Sequence, residues 1–214
     1  EVCGVLCASD TGLAISELFA ARVMSTRYNH KYIQNEARRD KYLQQCALQQ
    51  HNIRSIRQVL TDSLQTALEF YDSLPSSEPS IDGNSKIAVV KPVRGSASTH
   101  VYKCNSTEEL IIAFNKVLGK PGYANNTISD AILIQEFITG EEYVCDTVTL
   151  APGEHKMVAN WKYDKKCLNT KDFIYYATIL VPSDETPLNF HEYVASVLNC
   201  MRIETGPAHI EVMY

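Results

Sequence analysis

The apolar and polar positions of the chain follow one period in its first third and another beyond residue 86. Val2-Cys-Gly-Val-Leu-Cys7 is a short apolar run of the buried-strand kind. Ser9-Asp-Thr-Gly12 leads from it into a helical spacing at Leu13, Ile15, Leu18, Phe19 and Val23. This predicts one strand, turn and helix of an α/β sheet. Residues 28–35 are polar and irregular. A helix is expected over 36–50, with Tyr42, Leu43, Cys46 and Leu48 among its apolar positions, and a second over 61–74. Residues 75–85, Pro-Ser-Ser-Glu-Pro-Ser-Ile-Asp-Gly-Asn-Ser, gather turn formers in one place and read as an exposed loop insertion.

From Lys86 the pattern turns to strands. Residues 87–90 are β-branched, 99–103 alternate weakly, and Ser106-Thr-Glu-Glu109 is a capping box ahead of a helix carrying Leu110, Ile111, Phe114 and Leu118. Strands are predicted over 131–137, 142–150 and 157–163, separated by the turn signals Thr139-Gly140 and Pro152-Gly153. A strand over 173–181, a helix over 191–201 and a strand over 208–214 complete the chain. The class is α+β with a hairpin-rich antiparallel sheet, and no internal repeat is visible.

Composition narrows the function classes. The chain has 214 residues, 45% hydrophobic and 21% charged, enough to bury a core without disulfide staples. Twenty basic against 25 acidic residues give a net charge of −5, and the basic ones are scattered, so a nucleic-acid partner is not expected. No apolar run approaches the ~18 residues of a membrane helix, and no membrane partner or signal peptide is expected. Seven cysteines, an odd number without a CxxC pair, read as reduced core thiols, which points to the cytoplasm. The sequons at Asn105 and Asn125 are read as chance. Glu1 at the start and an apolar run ending at Tyr214 suggest an internal piece of a longer protein.

Three segments could carry chemistry. In Ala88-Val-Val-Lys91-Pro-Val-Arg94-Gly95-Ser96-Ala-Ser98 a lysine ends a buried strand just before a small, hydroxyl-rich turn, whose N–H groups could meet phosphate oxygens. The plain alternative is a β-turn with a snorkelling lysine. In Ala131-Ile-Leu-Ile-Gln135-Glu136-Phe137-Ile138-Thr-Gly140-Glu141-Glu142 a strand end offers backbone groups to an adenine edge and a carboxylate to ribose hydroxyls. A hairpin with solvated glutamates is the alternative. In Gly206-Pro-Ala-His209-Ile-Glu211-Val-Met-Tyr214 alternation places His209, Glu211 and Met213 on one face and Ile210 with Val212 on the other. A single strand carboxylate is more often a surface residue than a metal ligand.

In this order the three segments resemble the ATP-grasp superfamily, and within it the carboxylate-amine ligases that include the L-amino-acid ligases, over nearly the whole chain. The family's first lysine matches Lys41 in Arg38-Arg-Asp40-Lys41-Tyr-Leu43, its second matches Lys91, and its flexible loop matches Gly95, Ser96 and Ser98. The resemblance places adenine against Gln135, Glu136, Phe137 and Ile138, ribose on Glu142, a metal on Glu211 and the transferred phosphate before His209. Val158-Ala-Asn-Trp161-Lys-Tyr163-Asp-Lys165 is similar to the Trp-x-Tyr-Asp-Lys segment of the dipeptide-synthetase branch, making Trp161 and Lys165 candidates for the substrate pocket.

The resemblance implies an ATP-grasp fold truncated at both ends. Residues 1–35 would end an α/β amino-terminal subdomain, 36–136 form the small subdomain with a flexible loop at 94–99, and 137–214 begin the large subdomain. It implies ATP and magnesium, with manganese as a substitute, and small carboxylate and amine substrates such as amino acids. A homo-oligomer is compatible with it. The reaction implied forms an amide through an acyl phosphate, with Lys91 and His209 as catalytic groups. The family's second metal carboxylate falls on a strand after the one bearing Glu211, beyond Tyr214. Competing readings are another ATP-grasp enzyme, carboxylase-like or of the purine-pathway kind, and a non-catalytic nucleotide-binding module that kept the fold.

Overall fold

The computed structural model describes residues 4–7, 9, 12–23, 35–76, 86–95, 98–121, 128–168 and 171–214. Ser96 and residues 77–85 of the expected insertion lie outside the described residues. The elements run α1 (Leu13–Val23), a 3-10 turn (Glu36–Arg38), α2 (Lys41–Gln50), β1 (Gln58–Thr61), α3 (Leu64–Ser73), β2 (Ala88–Lys91), β3 (Tyr102–Cys104) and α4 (Thr107–Val117). β4 (Ile132–Glu136), β5 (Glu142–Ala151), β6 (Glu154–Leu168), β7 (Lys171–Val181), a second 3-10 turn (Ser183–Glu185), α5 (Phe190–Cys200) and β8 (Gly206–Met213) follow.

Two antiparallel four-stranded sheets result, ordered β1-β4-β2-β3 and β7-β6-β5-β8. This is the expected α+β class. The first sheet packs Ala88, Val90, Ile132 and Ile134 against Ala67 and Tyr71 of α3 and Leu110, Ala113, Phe114 and Val117 of α4. The second packs Tyr143 and Cys145 against Phe190, Val194 and Leu198 of α5, with Ile210 and Val212 on the same side. Alternation along β8 therefore leaves Pro207, His209, Glu211 and Met213 exposed on the opposite face, as the sequence pattern predicts.

Local chemistry sets the boundaries. Ser106 accepts from Glu109 N at 3.2 Å and caps α4, but the Glu109 carboxylate reaches back to Asn105 N at 2.7 Å, one residue before the cap. Instead of one helix over 36–50, the chain breaks at Asp40. Its carboxylate accepts from Tyr42 N and Leu43 N, both at 3.0 Å, and starts α2 afresh at Lys41. Residue 61 ends β1 rather than opening a helix, and Ser63 caps α3. Residues 4–7 form no strand, and Leu6 is exposed, which corrects the buried-strand reading of that run. α1 forms as expected but turns Ile15, Leu18, Phe19 and Val23 to the outside and buries only Ala20 and Ala21.

The first sheet contains one buried amide ladder. Gln135 on β4 is 3% exposed and donates from Nε2 to Gln58 Oε1 on β1 at 3.0 Å, while Gln58 Nε2 donates to Tyr42 O at 2.9 Å. The Gln135 side chain is thus a structural tie from β4 through β1 to α2. Replacing Gln135 by Leu removes the donor to Gln58 Oε1 and is expected to destabilise the fold by about 1–3 kcal/mol. Urea unfolding measures this, and an unchanged midpoint would show that the ladder contributes nothing.

Candidate active site

Lys91 ends β2, within electrostatic range of Glu142, Lys165 and Glu211 of the second sheet. It is half-buried, and among the described residues no carboxylate lies within ion-pair distance of it. Burial first, and then the positive charge of Lys41, lower its ammonium to about 8, with Glu211 and Glu142 pulling upward and Lys165 adding a further downward push. These causes name the groups that surround it. Two sheets and one helix start thus bring five charged side chains into mutual range, although the sequence separates them by up to 170 positions.

Lys41 reaches the site because Asp40 ends the 3-10 turn and opens α2 beside the loop after β2. Lys41 N donates to Val93 O at 3.0 Å, and Nζ donates to Gly95 O at 2.7 Å. Arg94 pairs with Glu36 at 2.5 Å and lies 3.9 Å from Asp40, so it faces the helix start rather than the lysine pair. The loop is therefore tied at its near end to the first lysine. At its far end Ser98 and His100 both hold positive φ, +54° and +57°, a conformation few side chains adopt, in the turn that returns the chain to β3.

The strand end at Glu136 is more committed than the sequence suggests. Its N–H donates to Arg57 O at 3.0 Å and its carboxylate accepts from Arg57 N at 2.9 Å. Phe137 N donates to Ile87 O at 3.2 Å, and the Phe137 ring lies 4.3 Å from Lys103 Nζ. Both residues line a cleft with Leu74, Ile87 and Thr139. The Gln135 side chain is bonded to Gln58, the Glu136 carboxylate to Arg57 N and the Phe137 N–H to Ile87 O, so these groups are already used within the fold.

The second sheet presents a polar face built by cross-strand register. Glu142, Val144 and Asp146 of β5 lie opposite Met213, Glu211 and His209 of β8, while Tyr163 and Trp161 of β6 oppose Glu142 and Val144. Lys165 Nζ sits 2.7 Å from the Glu142 carboxylate, 4.4 Å from the Tyr175 ring centre and 5.2 Å from that of Tyr163. Burial pushes Lys165 down, but the Glu142 partner outweighs it and the net shift is upward, so this cation stays charged. Tyr163 and Tyr175 meet edge to face at 4.9 Å, and the Tyr175 hydroxyl stands 3.5 Å from Glu211 Oε1. Burial, followed by the Glu211 charge, pushes the Tyr163 phenol up to about 12.

Trp161 Nε1 donates to Asp146 Oδ2 at 2.7 Å, Asp146 Oδ1 lies 2.7 Å from His209 Nδ1, and His209 Nε2 lies 3.3 Å from the Tyr163 hydroxyl. Lys41, Lys91, Glu142, Lys165 and Glu211 thus come together, with His209 and Trp161 joined on the same face. Asp146, Tyr163 and Tyr175 belong to this face; the two tyrosines stand in segments that carried the resemblance without being named as site residues, and Asp146 was not singled out from sequence. The signal available for Asp146 was its period-2 spacing from Glu142, and for Tyr163 its position between Trp161 and Lys165. Among the described residues, no three His, Cys, Asp or Glu side chains cluster to hold a metal ion. Nor is any described helix long and apolar enough to cross a membrane.

Residues 85–214 match the ATP-grasp domain family. The dapdiamide A synthase of Enterobacter agglomerans is 25% identical over 190 residues, 87% of this chain and 41% of that protein. The L-amino acid ligase of Bacillus licheniformis superposes with a TM-score of 0.66 at 21% identity, over 98% of this chain and 45% of that one. The VanG D-Ala:D-Ser ligase of Enterococcus faecalis superposes with a TM-score of 0.59 at 14% identity, over 82% and 48%. The chain spans less than half the length of these relatives.

Two outcomes follow for Lys91. Its ammonium is expected to titrate near pH 8, so affinity for a polyphosphate anion, measured by calorimetry, should fall as pH rises through 8. Lys41→Met removes a like charge and should move this transition upward. A pH-independent affinity between 7 and 9 would place the anion elsewhere.

Proposed function

The chain belongs to the ATP-grasp family, and on that premise we propose that it is part of an ATP-dependent ligase joining a small carboxylate to an amine, with amino acids as the substrate class. The observation that carries this is Lys91: a half-buried cation with no ion-pair partner among the described residues, within electrostatic range of a second lysine, Lys41, and of Glu142 and Glu211. A buried ammonium without a carboxylate partner is a site for a ligand anion. Two converging lysines suit the phosphates of ATP better than a single carboxylate.

In this reading a substrate carboxylate oxygen attacks the terminal phosphorus of ATP, the bond to the bridging oxygen breaks, and ADP leaves with that electron pair. The amine nitrogen then attacks the carbonyl carbon of the acyl phosphate, inorganic phosphate departs with the acyl oxygen, and the nitrogen loses a proton to give the amide. Phosphoryl transfer is served chiefly by positioning and charge neutralisation. Lys41 and Lys91 bind and neutralise phosphate oxygens. The segment ending in Phe137 and Ile138 orients adenine, and Glu142 accepts from ribose hydroxyls, which requires it to share or release Lys165. Trp161, Lys165 and the tyrosine pair line the space where the acceptor carboxylate and amine meet. The loop from Gly95 to Ser98, held by Lys41 at Gly95, excludes water from the acyl phosphate.

Magnesium fits as the accompanying ion. Such ions are held by one or two carboxylates and complete their shell with phosphate oxygens and water, and Glu211 is the exposed carboxylate on this face. When bound, magnesium supplies charge neutralisation on the phosphates.

Replacing Lys91 by Ala should weaken ATP binding on the order of 10- to 100-fold. Unchanged affinity by calorimetry removes this reading. Glu211→Gln should abolish magnesium-dependent ADP release with the circular dichroism spectrum intact, and a fully active variant would locate the metal at another residue. An acceptor screen separates the competing chemistries: amines stimulating ADP release support the amide-forming reading, whereas stimulation by bicarbonate or a ribonucleotide alone would replace it.

A further inference from the structure

Asp146 and His209, paired on the polar face, are left without a part in that scheme. Asp146 is the direct cross-strand partner of His209, β5 against β8, and a register shift follows it immediately, between Asp146 and Thr147. Its two carboxylate oxygens are used separately: Oδ2 takes the indole N–H of Trp161 at 2.7 Å and Oδ1 faces His209 Nδ1 at 2.7 Å. We infer that Asp146 is the positioning residue for His209, holding the imidazole as the Nδ1–H tautomer so that Nε2 faces the substrate side as an acceptor.

The argument is one of donors and acceptors. An ionised carboxylate only accepts, so the ring nitrogen beside Oδ1 carries the proton and Nε2 is left with a lone pair. The Tyr163 hydroxyl at 3.3 Å supplies a donor to that lone pair, and its upward shift to about 12 keeps it protonated. Trp161 fixes the arrangement from the other side. An indole N–H can only donate, so it holds Oδ2 and leaves the carboxylate no freedom to turn away from His209. Three strands thus hold one imidazole in one orientation, within a face that also carries Glu142, Lys165 and Glu211. A lone pair held there can take an N–H of the incoming amine in place of the Tyr163 hydroxyl and orient its nitrogen for attack. This catalytic consequence rests on the ligase reading; the tautomer does not.

Asp146→Asn tests the inference with almost no change of shape. Asparagine offers one acceptor and one donor where the carboxylate offered two acceptors. Trp161 cannot accept, so the amide oxygen must face the indole and the amide N–H₂ must face His209. The ring is then forced to accept at Nδ1 and carry its proton on Nε2. Long-range ¹H–¹⁵N spectra of the intact gene product at a pH where imidazole is neutral report this directly, with His209 assigned by its absence in His209→Gln. The expected result is Nδ1–H in the wild type and Nε2–H in Asp146→Asn, with the circular dichroism spectrum retained. In turnover, kcat should fall on the order of 10- to 100-fold with KM for ATP unchanged. A wild-type ring protonated on Nε2, an unaltered tautomer in Asp146→Asn, or a swapped tautomer with unaltered kcat each overturns the inference. If Asp146→Asn does not fold, the wild-type spectrum decides alone. A protein that swaps tautomer but forms no amide retains the positioning role and contradicts the ligase reading instead.

Discussion

The arrangement depends on one electrostatic constraint, the half-buried ammonium of Lys91 held, among the described residues, without a counter-ion at ion-pair distance. Leaving a cation in that condition is unfavourable, and burial together with the charge of Lys41 shifts it down to about 8. The protein contributes a second cation, Lys41, rather than a neutralising carboxylate, and keeps Glu142 and Glu211 near but not touching. Such a site is stable only because the two sheets around it are independently well packed, the first on α3 and α4 and the second on α5. What it lacks in internal compensation it can gain from an anion.

The supporting structure places each charge by a separate local device. Asp40 restarts a helix so that Lys41 occupies its first turn beside the loop at Gly95. The Gln58–Gln135 pair locks β4 against β1 and so fixes where the strand end at Glu136 and Phe137 emerges. In the second sheet the pleat sends Tyr143 and Cys145 to the α5 side and Glu142 and Asp146 to the cleft side, so core and polar face are set by the same alternation. The Glu142–Lys165 pair shows a different balance: there a buried cation is neutralised at 2.7 Å and its shift is upward. Two lysines in one cleft are thus tuned in opposite directions by whether a carboxylate lies within reach.

Strand periodicity was readable along 142–150 and 208–214 because alternate residues there pack on the core under α5, whereas 173–181 was readable from its β-branched and aromatic composition, although Tyr176, Ile179 and Leu180 are exposed. It was misleading at 4–7 and along α1, where apolar residues find no core among the described residues: Leu6 is 76% and Ile15 73% exposed. β1 went unseen because four residues with one buried position carry too little pattern to be told from a helix start. Among the site residues, Lys41, Lys91, Glu142 and Glu211 were marked by their place in ordered motifs. Asp146 carries no motif of its own.

The sequence by itself determined the α+β class, the strands of the second sheet, the cap of α4 and the face on which His209 and Glu211 lie, because these follow from interactions within a few residues. Tertiary structure alone decided that Gln135 ties two strands, that Glu142 meets Lys165, and that Asp146 stands between Trp161 and His209. Those outcomes depend on cross-strand register between segments 15 to 77 positions apart, and register is a property of paired strands, not of either strand alone.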